Sequence, residues 1–219
     1  NIRKSKIILI QEGLTDPENL LYYIVKHLRM PRWLASTSTT GLSHAYDRFC
    51  VASEGYRKHF LRKGVRPETL VVTGIPNFDN CAAFHDNDFP HHGYVLVATS
   101  DMRETFKYEN RKRFIRRCQK IAGDRQLIFK LHPNENAVRA KREILELAPD
   151  ALVFANGRIE HMIANCETLV TRFSSVVYIG IALDKEVYSD FDLDDLRDMV
   201  PLQNAGKSSL AIADVCRNL

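Results

Sequence analysis

Short apolar runs recur along the chain, each closed by a polar turn and most followed by a stretch with helical spacing. The runs at residues 6–10, 47–52, 69–73, 94–99, 127–131, 151–155, 168–173 and 185–189 read as strands. Helical spacing or capping residues predict helices over 16–29, 53–62, 110–122, 135–147, 159–164, 176–183 and 209–219. Asp16 before Pro17 is the expected cap of the first of these, Ser53 of the second, and the Ser174-Ser175 pair of the sixth. Strands alternating with helices predict an α/β protein with parallel sheet.

Between these elements two polar stretches stand out. Residues 35–41 are small and hydroxylated and read as a loop, whereas residues 81–93 gather His85, Asp86, Asn87, Asp88, Pro90, His91 and His92 and read as a hinge linker. Their histidine spacing fits no closed zinc motif, so no metal is expected. The chain therefore divides into a partial α/β domain at 1–80, the linker at 81–93, and a doubly wound, Rossmann-like domain at 94–219.

Composition narrows the classes. No run approaches the ~18 apolar residues of a membrane span, and the run at 7–10 is too short for a signal peptide. Five widely spaced cysteines without a CxxC pair imply reduced thiols and a cytoplasmic protein. The net charge of +4 is modest. Its local excess, Lys107, Arg111, Lys112, Arg113, Arg116, Arg117 and Lys120, lacks interleaved aromatics and reads as a solvated helix face, so no nucleic-acid partner is expected.

Candidate chemistry sits where strands end. The run Leu127–Leu131 stops at His132-Pro133, and Pro133 forbids a further ladder bond, so the His132 imidazole is expected just past the carboxyl edge of the sheet, where ligands of open α/β sheets bind. Arg172, Ser174 and Ser175 follow another strand, and hydroxyls beside a helix start suit a phosphate. Glu12 follows the first strand, within reach of a ligand, and Arg103 with Glu104 follows the fourth. The expected ligand bears phosphate and lies between His132 and the serine pair, on strand ends lying side by side.

The motifs Gln11-Glu12-Gly13-Leu14, Asp47 through Ser53, Thr73-Gly74-Ile75-Pro76-Asn77, Asp101-Met102-Arg103-Glu104-Thr105-Phe106, Lys130-Leu131-His132-Pro133-Asn134 and Thr171-Arg172-Phe173-Ser174-Ser175 stand in the order and approximate spacing of the UDP-N-acetylglucosamine 2-epimerase group, which the chain resembles from Ile7 to Leu219. The resemblance implies GT-B architecture, two Rossmann-like domains facing across a nucleotide-sugar cleft, with the opening strands absent. It also implies Glu12, Arg103 and Glu104 as matches to the family's acidic and Arg-Arg-Glu motifs. Asp101 replaces a family histidine, Ser174-Ser175 replace a glycine pair, Tyr178 or Ile179 displaces a ribose-binding glutamate, and residues 36–41 offer no second acid. Those departures turn the reading toward transfer. Glu12-Gly13, His132-Pro133 and Ser174-Ser175 are similar to motifs of bacterial CMP-sialic acid transferases and CDP-glycerol glycerophosphotransferases.

The resulting expectation is a GT-B glycosyltransferase of bacterial surface polysaccharide. Glu12 is the base and His132 the catalytic group at the leaving phosphate, with Ser174, Ser175, Arg103 and Arg172 binding nucleotide or phosphate. A UDP-GlcNAc 2-epimerase and a non-catalytic nucleotide-binding module are the alternatives. A UDP- or CMP-linked sugar and a saccharide acceptor are the partners, without cofactor or metal. Peripheral membrane association and a homodimer remain compatible.

Overall fold

The structure is a computed structural model that describes residues 5–105 and 108–219. Phe106 of the fourth motif and Lys107 of the basic run lie outside the described residues. The chain is mixed α/β and divides into two compact units, residues 1–80 with 198–219, and residues 81–197.

In the first unit β1 (Ile8–Ile10), β2 (Arg48–Val51) and β3 (Leu70–Val72) form a parallel sheet in sequence order, with Ile8 opposite Arg48 and Phe49 opposite Leu70. Gln11 ties the first two strand ends together. Its N–H donates to the Cys50 carbonyl (3.0 Å), its Oε1 accepts from Ala52 N–H (2.9 Å), and its Nε2 donates to the Gly13 carbonyl (2.9 Å). Between β2 and β3 runs α2 (Glu54–Lys63), opened by Ser53, whose Oγ accepts from Tyr56 N–H, and closed by Gly64 at φ +99°. Its buried aromatics are Tyr56 and Phe60, and the Phe60 ring meets Phe49 of β2. The first helix, α1 (Leu20–His27), begins later than expected. Asn19 caps it, while Asp16 exchanges hydrogen bonds with Thr37. A side-chain partner distant in sequence thus displaced the local cap. The 35–41 segment is mostly ordered into a 3₁₀ turn (Arg32–Thr39), kinked at Ala35 and Ser36, with Ser38 and Thr39 bonding backbone carbonyls.

The second unit holds a five-stranded, wholly parallel sheet made of β4 (Val95–Ala98), β5 (Leu127–Lys130), β6 (Leu152–Phe154), β7 (Thr168–Val170) and β8 (Glu186–Tyr188), in the order β6-β5-β4-β7-β8. The near-continuous apolar strands follow from burial on both faces. Val95, Val97, Phe129 and Val170 pack under α3 (Arg111–Ala122) and α4 (Ala137–Leu147), sharing a core with Phe114, Ile115, Cys118 and Ile144. Alternate residues turn to α5 (Ile159–Asn165) and α6 (Val177–Ala182): the Tyr94 hydroxyl donates to the Met162 carbonyl at 2.6 Å, and Leu169 lies against Gly180. Burial pushes the Cys118 and Cys166 thiols up to about 12.

Tertiary contacts redraw two expected boundaries. The 81–93 stretch joins the second unit. Cys81–His85 form a 3₁₀ turn, Asn87 and Asn165 exchange side-chain bonds at 3.0 and 3.1 Å, and the Phe89 ring meets Tyr94 and Phe154. Residues 198–219, expected with the second domain, belong to the first unit. There the N–H of Ser208, first residue of α8 (Ser208–Arg217), donates to the Asp79 carboxylate (3.0 Å), and Leu202 N–H donates to the Ala52 carbonyl (2.8 Å). A further helix, α7 (Leu193–Asp198), lies where none was expected.

Candidate functional site at the strand ends of the second unit

From β4 the chain proceeds outward through β5 to β6, then returns to the other side of β4 as β7, so the order of winding reverses between β4 and β7. At such a switch point the loops leaving two adjacent strands diverge, and a crevice opens outside their carboxyl ends. Ser100 through Arg103 leave β4 there, and Thr171 through Ser175 leave β7.

Two hydroxyls at this edge have no hydrogen-bond partner among the described residues. Ser100 Oγ and Thr171 Oγ1 are buried and unpaired, although most buried polar atoms are satisfied. Ser174 and Ser175 are half-buried and make no side-chain hydrogen bond among the described residues. The expected capping role is not theirs. Val176 occupies the cap position of α6 without a side-chain bond, and the serines contribute only carbonyls, to Val177 N–H and Tyr178 N–H. The backbone turns into α6 one residue too late for either hydroxyl to fold back on it.

His132 leaves β5, and β4 stands between β5 and β7. His132 and the serine pair are therefore not on adjacent strands, as the sequence had suggested, but two strand spacings apart, roughly 9–10 Å at the sheet edge. A diphosphate with its sugar spans more than that. The turn is closely held. Thr99 Oγ1 accepts from His132 N–H (3.0 Å) and donates to Glu135, while His132 Nδ1 accepts from Asn134 N–H (3.2 Å). The neutral ring thus carries its proton on Nε2, which is free to donate. Asp101 lies on the Nδ1 side, at 3.9 Å, and accepts from the Asn134 amide at 3.2 Å. The ammonium of buried Lys130 bridges the ends of β5 and β6 through the Leu131 (2.9 Å) and Ala155 (3.1 Å) carbonyls, and burial lowers its pKa.

Beneath these turns lies an ionic network that the sequence reading missed. Arg111 pairs with Glu135 and approaches Glu109 (3.6 Å); Arg103 pairs with Glu143 (2.9 Å), Glu109 (3.4 Å) and Glu135 (3.6 Å). The Glu109, Arg111 and Glu135 side chains are almost wholly buried. Burial works against the Arg103 charge, but the bond and charge of Glu143 outweigh it and raise its pKa, while Arg111, more deeply buried, is lowered. Arg172 contacts Asp190 (2.6 Å) and Glu109 (3.8 Å). Both arginines expected to bind phosphate therefore face carboxylates: Arg103 ties the turn after β4 to α4, and Arg172 ties the turn after β7 to the turn after β8. The signal was present in the sequence. Arg111 falls on the Phe114, Ile115, Cys118, Ala122 stripe of α3, where a cation must find a buried partner. Glu104 pairs with Arg139 of α4. Glu12 lies in the first unit, exposed after β1, beside the buried Gln11.

Among the described residues no group of three or more His, Cys, Asp or Glu side chains could hold a metal ion, and no helix is long and apolar enough to cross a membrane. No protein-family model and no curated protein matches the chain. Solved structures do. UDP-GlcNAc 2-epimerase from Neisseria meningitidis, bound to UDP-GlcNAc, is similar at 12% identity and a TM-score of 0.64, over 98% of this chain and 70% of that one. The Methanocaldococcus jannaschii enzyme, in complex with UDP-GlcNAc and UDP, matches at 13% identity and 0.59, over 96% and 75%. The UDP-N-acetylglucosamine 2-epimerase from Rickettsia bellii matches at 12% and 0.57, over 98% and 67%. At these identities the likeness establishes the fold, the Rossmann-like α/β architecture of the GT-B-like epimerases.

Proposed function

We propose that the second unit holds the diphosphate of a UDP-linked sugar at the switch point between β4 and β7, and that the chain acts on that sugar nucleotide as a 2-epimerase. The observation that carries the proposal is the pair of buried hydroxyls without a partner among the described residues, Ser100 Oγ and Thr171 Oγ1, at the ends of the two adjacent strands between which the winding reverses. Ser174, Ser175 and the Nε2–H of His132 add donors on either side. Charge on a departing diphosphate is met by preorganised hydroxyl and imidazole donors, while Arg103 and Arg172 hold the turns that carry them. Epimerisation leads because structures of this fold hold UDP-GlcNAc in two 2-epimerases. Glycosyl transfer in surface-polysaccharide synthesis is the second reading. It is favoured by residues 36–41, which contain no carboxylate to pair with Glu12 in moving the C2 proton.

Titration calorimetry with UDP and CMP on the wild type and on Ser100→Ala, Thr171→Val and His132→Ala tests the site, with about a tenfold loss of affinity expected for each. Undiminished affinity in all three removes the site. Incubation with UDP-GlcNAc in deuterated water then separates the reactions. Deuterium at C2 establishes epimerisation, UDP release with a glycosylated acceptor and no exchange establishes transfer, and an unchanged sugar nucleotide beside tight UDP binding leaves a non-catalytic module.

A further inference from the structure

The first unit carries a surface that the nucleotide site does not use. Leu20, Leu21, Ile24 and Leu28 fall at helical spacing along α1 and its end, and all are exposed, Leu20 at 76% and Leu28 at 69%. Trp33, five residues beyond Leu28 and the only tryptophan in the chain, is 78% exposed. Beside this apolar strip opens a cavity of about 840 Å³ whose lining includes Lys26, Arg29, Arg32, Arg62 and Lys63 over Val25 and Leu42, with no carboxylate in its wall.

The backbone adds an independent sign. Helix α1 ends with Met30 N–H donating to the Val25 carbonyl at 3.1 Å, the six-to-one bond of a Schellman turn, which places residue 29 in the left-handed region at φ +51°. Glycine is the residue that fits there. This chain has Arg29, and its side chain lines the cavity. A cation thus stands where the backbone conformation favours glycine.

We infer that α1 and the following 3₁₀ turn form an interfacial docking surface for an anionic lipid bilayer, with Leu20, Leu28 and Trp33 entering the headgroup boundary and the exposed Arg29, Arg32 and Arg62 receiving lipid phosphates. Apolar and aromatic side chains on one strip beside Lys and Arg give the pattern of a helix lying in the interface plane. Charge selects the membrane, because the exposed Arg29, Arg32 and Arg62, on a wall without an acid, attract an anionic surface and repel a copy of themselves.

Trp33 reports directly. With the full chain and vesicles containing phosphatidylglycerol, its emission shifts to the blue and the protein cosediments, and high salt reverses both. Pure phosphatidylcholine vesicles and glycerol phosphate leave the emission unchanged. Arg29→Gly, which relieves the left-handed residue, keeps or raises the melting temperature yet lowers partitioning about fivefold, as does Arg32→Gln. Leu28→Ser lowers it while retaining the reporter. Absence of a shift with anionic vesicles, equal partitioning of the arginine variants and wild type, a shift driven by glycerol phosphate alone, or a chain whose Trp33 is already blue-shifted through self-association without lipid each overturns the inference.

Discussion

Arg111 shows how one residue can contradict its neighbourhood in the sequence. Five basic residues of its helix are solvated, as their spacing predicts, but Arg111 points inward to Glu135 with its side chain 4% exposed. Removing one member of a buried pair leaves the other charge stranded, whereas removing both strands neither, since Glu109 still meets Arg103 and Arg172. Arg111→Met should therefore destabilise the protein by about 3–5 kcal/mol, and Arg111→Met with Glu135→Met should recover most of that loss. Urea midpoints of the two variants check the pair; equal losses would place the Arg111 contribution in packing alone. The cysteines make a second statement at this scale. Cys50, Cys81, Cys118 and Cys166 are buried and only Cys216 is exposed, so a maleimide should label one of the five thiols in the native protein, with the rest reacting after unfolding. Native labelling at Cys118 or Cys166 would contradict the core described for the second unit.

Elements were legible where their signals were local. Ser53 caps α2 as its position suggested, because a cap needs only its own side chain and the N–H groups of the next turn. Asp16, Ser174 and Ser175 failed as caps for the opposite reason: Asp16 found a partner twenty-one residues away in Thr37, and the chain after β7 entered α6 beyond the serines. Close approach was equally hidden. Gly55 looks like a weak point in α2, and alanine there should gain about 1 kcal/mol of helix propensity. A Cβ at that position would meet the Asp198 carbonyl oxygen at 1.8 Å. Gly55→Ala is accordingly expected to cost about 1–3 kcal/mol net, read from thermal or urea unfolding, and a stabilised variant would show that the approach relaxes freely.

At the scale of the molecule the two units have different relations to the linear sequence. The second is continuous from residue 81 to 197, with its own five-stranded sheet and core. The first is made of two segments, and its last helix is held by Asp79. A fragment of residues 81–197 should fold alone with a cooperative thermal transition, and one beginning at residue 94 should melt lower, because it loses the Asn87–Asn165 bonds and the Phe89 ring. A non-cooperative 81–197 fragment would show that the sheet depends on the rest of the chain.

The sequence by itself determined the parallel α/β class, the eight strands and the turn positions at their ends, since apolar runs, prolines and hydroxyl caps act over a few residues. The positions of His132 and the serine pair past the ends of β5 and β7 were visible for that reason. Tertiary structure alone decided which strand ends are neighbours. It put β4 between β5 and β7, left Ser100 and Thr171 without a hydrogen-bond partner among the described residues, set Arg103 and the buried Arg111 among glutamates, and returned residues 198–219 to the first unit. Strand order and ion pairing depend on contacts between residues far apart in the chain, and such contacts leave no periodic trace in the segments that make them.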